Sequence, residues 1–176
     1  QTWCGALVAS DELGDIEGTV PASAVGIEGP RAPDIAMSFA WDSRINGAGF
    51  AGYAYNGGGA AGLGMHGSMS RHEMRSVLIA HGPSFKSGVT STAPSGHVDL
   101  TPTLLHILGI DPGVHMDGRV LEEALTNGRD PSSVASTTET LEAERPIQHD
   151  LYRQYVKVAT VGSTRYVIEG NRIDTP

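Results

Sequence analysis

The chain has 176 residues, 39% hydrophobic and 18% charged, which suits one globular domain with its own core and does not suit a disordered segment. Its formal net charge of −8 repels phosphate backbones and anionic lipid, and no run approaches the roughly 20 apolar residues that span a bilayer. Neither nucleic acid as a bulk partner nor a membrane is therefore expected, and the single Cys4 supports neither an internal disulfide nor a paired-cysteine zinc spacing.

Residues 2–9, TWCGALVA, read as a short buried strand, and the polar stretch from Ser10 to Gly18 as a turn. An apolar patch over 20–27 ends at the breaker Gly29-Pro30. The run from Asp34 to Trp41, DIAMSFAW, has the length and apolar density of a strand buried on both faces. From Gly47 to Gly67 the chain is nearly all Gly, Ala, Tyr and Asn around Gly57-Gly58-Gly59, a composition that sustains neither helix nor strand but lets backbone approach a ligand. SVLIAH, Ser76 to His81, predicts a second buried strand closed by Gly82-Pro83. A helix is expected from Ser95 or Asp99 to Leu108, stopped by Gly109, with Leu100, Leu104, Leu105 and Leu108 on one face. Asp117 to Leu125 predicts a second short helix, and Asn127 to Arg145 a polar surface connector. Tyr152 to Ala159 and Arg165 to Glu169 read as a β-hairpin about Gly162-Ser163.

Seven histidines and many carboxylates invite a metal reading, yet no HExxH, paired-cysteine or EF-hand spacing is present. His66, in Gly64-Met65-His66-Gly67 at the end of the glycine-rich loop, reads either as a metal ligand or as a surface turn. His72, His81 and His106 read as structural histidines beside strand or helix positions. His97-Val98-Asp99 and His115-Met116-Asp117 put an imidazole and a carboxylate on one side of an extended chain, which suits ring orientation, metal binding or, in the preferred reading, helix capping. Ser68 lacks the GxSxG elbow of a serine hydrolase, and Lys86 is expected to be solvated unless it meets an anionic substrate.

The order of these pieces carries more than any one of them. His66-Gly67-Ser68, Met74, VLIAHGPSFKSG, GHVDLTPTLLHILGI and MDGRVL together resemble the terminal part of type I phosphodiesterase and nucleotide pyrophosphatase proteins of the alkaline phosphatase superfamily. The resemblance runs from about Arg31 to Leu125, and the closing YRQYVKV is similar to bacterial members. It implies an α/β fold, a mixed sheet flanked by helices. Residues 1–176 would be the carboxy-terminal segment of one catalytic domain, with a metal-ligand loop over 47–75 and a closing hairpin over 152–170. It makes His66 a ligand to one of two catalytic metals, usually zinc, with manganese, iron or calcium open. In this family a metal pair roughly 4 Å apart activates the attacking hydroxyl and stabilises the leaving oxygen.

The Thr, Ser or modified Cys nucleophile and the remaining ligands belong to polypeptide upstream of the match, so no catalytic residue is assigned and this chain alone is expected to be inactive. The implied substrate is a small phosphate or sulfate ester, cleaved as a diester or monoester with phosphonates as relatives, and the implied partner is the amino-terminal remainder of the same protein. Asp117 and Arg119, in the DGR signature, read as an ion pair and cap. Two rivals stand beside this reading: a non-catalytic binding or structural module that keeps the fold's outline, and a serine esterase using Ser68.

Overall fold

A computed structural model describes residues 2–55, 66–148 and 150–173. These form a mixed α/β arrangement dominated by strands, in three small sheets with few helices. Two compact units are distinguished: residues 1–76, 139–158 and 167–176 make the first, and residues 77–138 and 159–166 the second. No helix among the described residues is long and apolar enough to cross a membrane.

In the first unit, β1 (Cys4–Ala9) is the middle strand of a three-stranded sheet. β2 (Val20–Pro21) pairs parallel to it, with Val8 opposite Val20, and β3 (Ile35–Phe39) pairs antiparallel, with Val8 opposite Ala36. The sheet is therefore mixed. The predicted strand at 34–41 is present over Ile35–Phe39 but is not buried on both faces: Ile35 and Met37, alternate residues on one face, are 56% and 38% exposed. Past Ala40 the chain enters a second antiparallel pair, β4 (Trp41–Ile45) with β5 (Ala51–Ala54).

The third sheet has the order β6-β7-β8, where β6 is Thr137–Ile147, β7 Asp150–Val161 and β8 Thr164–Arg172. The hairpin of β7 and β8 turns at Gly162-Ser163 as expected, with Gly162 at φ 60°, a left-handed value that glycine adopts without penalty. The second half of the expected polar connector over 127–145, from Thr137 on, is instead β6. Its outward residues are acidic, but Leu141 and Ala143 alternate with them and pack against the core of the first unit.

That core is Ala6, Val20, Ala24, Val156 and Val158. The inward face of β7 also carries polar groups, and they serve the backbone of β1. Gln154, fully buried, accepts from Leu7 N and donates Nε2 to the carbonyls of Leu7 and Gly18, both at 2.8 Å. Tyr152 donates its hydroxyl to Gly5 O. Buried backbone groups thus keep hydrogen-bond partners where no strand lies alongside.

In the second unit, α2 (Leu100–Leu108) is entered through a 3₁₀ turn at His97–Asp99 and ends at Gly109, whose φ of 66° lets Gly109 N and Ile110 N return to the carbonyls of His106 and Leu105. Asp99 caps the turn by accepting from Gly96 N at 2.8 Å. The buried side of α2 is marked by Thr103, whose hydroxyl accepts from Leu121 N, whereas Leu100, Leu104 and Leu108 are 37%, 53% and 67% exposed.

The helix expected over 117–125 shrinks to a 3₁₀ turn at Glu122–Ala124. Partners from the preceding helix hold this stretch in another conformation: Arg119 N donates to Asp99 Oδ1, and Leu121 N, which a helix from Asp117 would give to the carbonyl of Asp117, donates to Thr103 Oγ1. The DGR glycine is explained by space, since a Cβ on Gly118 would stand 2.0 Å from the carbonyl oxygen of Val98. Gly118→Ala is therefore expected to cost about 3 kcal/mol, at the upper end of overpacking penalties, read as a shift of the urea midpoint.

The segment Ser76 to His81 is not the buried strand its composition predicts. It belongs to no sheet, and Val77, Leu78 and Ile79 are 85%, 50% and 84% exposed. Beyond Gly82-Pro83 the chain is fastened, with Phe85 bridged to Leu125, Lys86 N bonded to Ala124 O and Thr126 N to Ser84 O.

Candidate functional site

Residues 56–65 of the glycine-rich loop, including Gly57-Gly58-Gly59, Gly64 and Met65, lie outside the described residues. His66 is described: it is exposed, outside regular structure, and followed by Gly67 at φ 92°. What comes after it is held firmly. Met69 N donates to the buried hydroxyl of Ser38 at 2.7 Å, and Met69 O accepts from Gly170 N at 2.9 Å, so the chain just past His66 is pinned to β3 and to β8. Ser70 then caps the single turn of α1 (Arg71–Met74) by accepting from His72 N.

Ser68 is buried, donating Oγ to Glu73 Oε2 at 2.5 Å and accepting from Ser70 N at 3.1 Å. Its hydroxyl closes the turn, which gives the esterase rival no support from geometry. His72 is structural: its ring meets Trp41 edge-on at 5.8 Å between centroids, and its Nε2 lies 3.1 Å from Ser43 Oγ. His81, His97, His106 and His115 are exposed.

Beside α1 stands a polar cluster that the sequence did not announce. Glu169, 3% exposed on β8, accepts from Arg71 Nη2 at 3.1 Å, from Lys157 Nζ at 3.0 Å and from Tyr155 Oη at 3.3 Å, while Arg71 Nε lies 2.7 Å from its other oxygen. Arg71 also lies over the Trp41 ring, which is itself fixed by donation of Nε1 to Gly170 O at 2.7 Å. Burial, and then the neighbouring Glu169 carboxylate, push the Tyr155 phenol up. Two cations thus share one buried carboxylate.

The second unit holds another network. Asp99, fully buried, accepts from Gly96 N, Arg119 N and Tyr166 Oη, and Arg119 in turn grips Glu123 with two parallel bonds at 2.9 and 2.6 Å. Asp117, expected to pair with Arg119 and to cap, does neither: it is solvent-exposed with His115 Nε2 3.9 Å away, and Arg119 pairs instead with the buried Glu123. Lys86 is not a solvated lysine. Its ammonium donates to the carbonyls of Glu123, Gly128 and Arg129, filling its three donor positions with loop backbone.

A cavity of about 360 Å³ in the first unit is lined by Asp11, Asp15, Glu17, Thr19 and Glu144 among others, and none of the residues singled out in the sequence borders it. Among the described residues no group of three or more His, Cys, Asp or Glu is placed to hold a metal. His66 thus fits the chemistry of a single ligand, and the described residues alone do not complete a site for zinc or another divalent ion. Comparison of the chain with protein-family models, with curated proteins and with solved structures finds no match in any of the three.

Proposed function

We propose that this chain is the carboxy-terminal part of a metal-dependent hydrolase of phosphodiester or phosphomonoester bonds, with sulfate and phosphonate esters as chemical relatives. It contributes His66 as one metal ligand and contributes no nucleophile. The observation that carries this reading is the order of motifs from His66-Gly67 through GHVDLTPTLLHILGI to MDGRVL, which resembles the closing part of an alkaline phosphatase-like domain. The local geometry supports it in one respect: an exposed imidazole followed by backbone pinned at Met69 is a side chain offered to solvent from a fixed base. A metal held there, zinc in the family's usual practice, would polarise the ester and lower the barrier to attack. What this chain's own residues do is narrower: they hold the imidazole and keep the turn after it closed.

The non-catalytic module remains the rival, and one assay separates the two. The 176-residue chain with added zinc should show no turnover of an activated aryl phosphodiester above a blank, while the complete protein should show turnover that a chelator abolishes. Chelator-sensitive turnover by the 176-residue chain would place the nucleophile within it and sink the proposal. Absence of turnover in the complete protein would favour the module.

A further inference from the structure

We propose that Asn46-Gly47 is a modification site, converted to isoaspartate through a cyclic succinimide, and that the fold leaves this pair reactive while it shields Asn127-Gly128. The reaction needs a following residue without a Cβ to obstruct its nitrogen, a backbone nitrogen that is free to attack, an activated amide carbon and access of water. Gly47 meets the first two conditions. It is exposed in the turn between β4 and β5, and its N–H has no hydrogen-bond partner among the described residues. Asn46 is held beside it, with its N donating to Phe50 O at 2.8 Å and its backbone carbonyl accepting from Gly49 N at 2.9 Å. Its side-chain Oδ1 accepts from Ala48 N at 3.0 Å and from Phe50 N at 3.1 Å. Two backbone donors on one carbonyl oxygen draw electrons from Cγ and stabilise the charge that gathers on that oxygen as a nucleophile adds.

A solvent base takes the Gly47 N–H proton while the nitrogen bonds to Asn46 Cγ. The Cγ–Nδ2 bond then breaks, and Nδ2 takes a proton from water and leaves as ammonia. One water opens the ring, giving aspartate by attack at Cγ and isoaspartate by attack at the backbone carbonyl carbon of residue 46. The change consumes one water, releases one ammonia and needs neither oxidant nor reductant. In isoaspartate the main chain runs through Cβ and Cγ, and the former backbone carbonyl becomes part of a side-chain carboxylate. The acceptor of Gly49 N thereby leaves the main chain, and the turn that sets the pairing of β4 with β5 is lost.

Exposure alone would rank the two pairs the other way, since Asn127 is exposed and Asn46 half-buried. The nitrogen decides. Gly128 N is engaged with Leu125 O at 2.9 Å, and Gly128 O accepts from Lys86 Nζ at 3.1 Å, so both ends of the residue are held. The backbone around it is also packed, because a Cβ on Gly128 would stand 1.7 Å from Glu122 O. Asn56-Gly57 lies outside the described residues.

The test incubates the 176-residue chain in mildly alkaline buffer, once folded and once unfolded in guanidinium chloride, and follows the exchange of NH2 for OH by mass spectrometry, with fragmentation to locate each site. Folded, Asn46 should react within about threefold of its unfolded rate, and Asn127 at least about tenfold more slowly than its own unfolded rate. Isoaspartate should be among the products at residue 46. Gly47→Ala, whose Cβ would meet nothing within 4 Å, keeps the turn and should slow Asn46 at least about tenfold by obstructing the nitrogen. Any one of four results would overturn the proposal: folding slows Asn46 by more than about threefold, folding slows Asn127 by less than about tenfold, aspartate forms at residue 46 without isoaspartate, or Gly47→Ala reacts as fast as the wild-type chain.

Discussion

Arg119→Ala is expected to destabilise the chain by about 3–5 kcal/mol, a large fraction of the roughly 5–15 kcal/mol that ordinarily holds a domain folded. Glu123 is 2% exposed, and both its oxygens are bound by the guanidinium of Arg119, so truncation leaves a buried carboxylate with no cation against it. The loss spreads further, since Arg119 Nε also donates to Tyr166 Oη and Nη2 to Pro94 O. Burial alone would push the Glu123 carboxyl up, and the bonds from Arg119 outweigh it, so the group titrates below its ordinary value of 4.5. Because the folded value is depressed, the stabilisation is present above 4.5 and is lost as pH falls through the folded value. The gap between the wild-type chain and Arg119→Ala should accordingly begin to narrow above 4.5, where the buried and unpaired Glu123 of the variant already takes up a proton, and narrow further below 4.5 as the wild-type chain loses its own stabilisation. The Tyr166 phenol, pushed up to about 12 by burial and then by Asp99, stays a donor throughout this range. Urea unfolding at several pH values reads both effects. A double variant, Arg119→Met with Glu123→Leu, should be less destabilised than Arg119→Ala alone, because it removes the charge together with its partner.

What was legible in the sequence is what local chemistry decides. Gly109 stopped α2 where expected, and Gly162-Ser163 turned a hairpin whose alternation is visible from Tyr152 onward. Gln154 falls in the inward phase between Tyr152 and Val156, and a polar residue in that phase needs buried partners, which are the backbone groups of Leu7 and Gly18. β6 has the composition of a connector because its acidic side dominates, while only Leu141 and Ala143 mark the inner one.

The remaining differences come from interactions distant in sequence. Nothing near Lys86 announces that three carbonyls past residue 122 will enclose its ammonium. Nothing near Asp117 shows that Arg119 will turn toward Glu123 and Tyr166 instead. The run SVLIA fails for a different reason: its composition states an environment that the described residues do not provide. For the site, His66 could be picked out from its glycine neighbours and the motif order. Its anchoring through Ser38 and Gly170, at separations of about 30 and 100 residues, could not.

The hydrolase reading stands on His66, and its alanine variant in the complete protein gives the most direct measurement. Because the side chain is exposed, the substitution removes little packing, and the melting temperature of metal-free protein should move by no more than about 1 °C. Metal content and ester turnover are then measured on the same preparation. The account predicts that bound metal falls by about one ion per chain and that turnover drops at least about 100-fold, with partial recovery at high metal concentration. Full metal content together with full turnover in the His66→Ala protein would contradict it and return His66 to the status of a surface-turn residue.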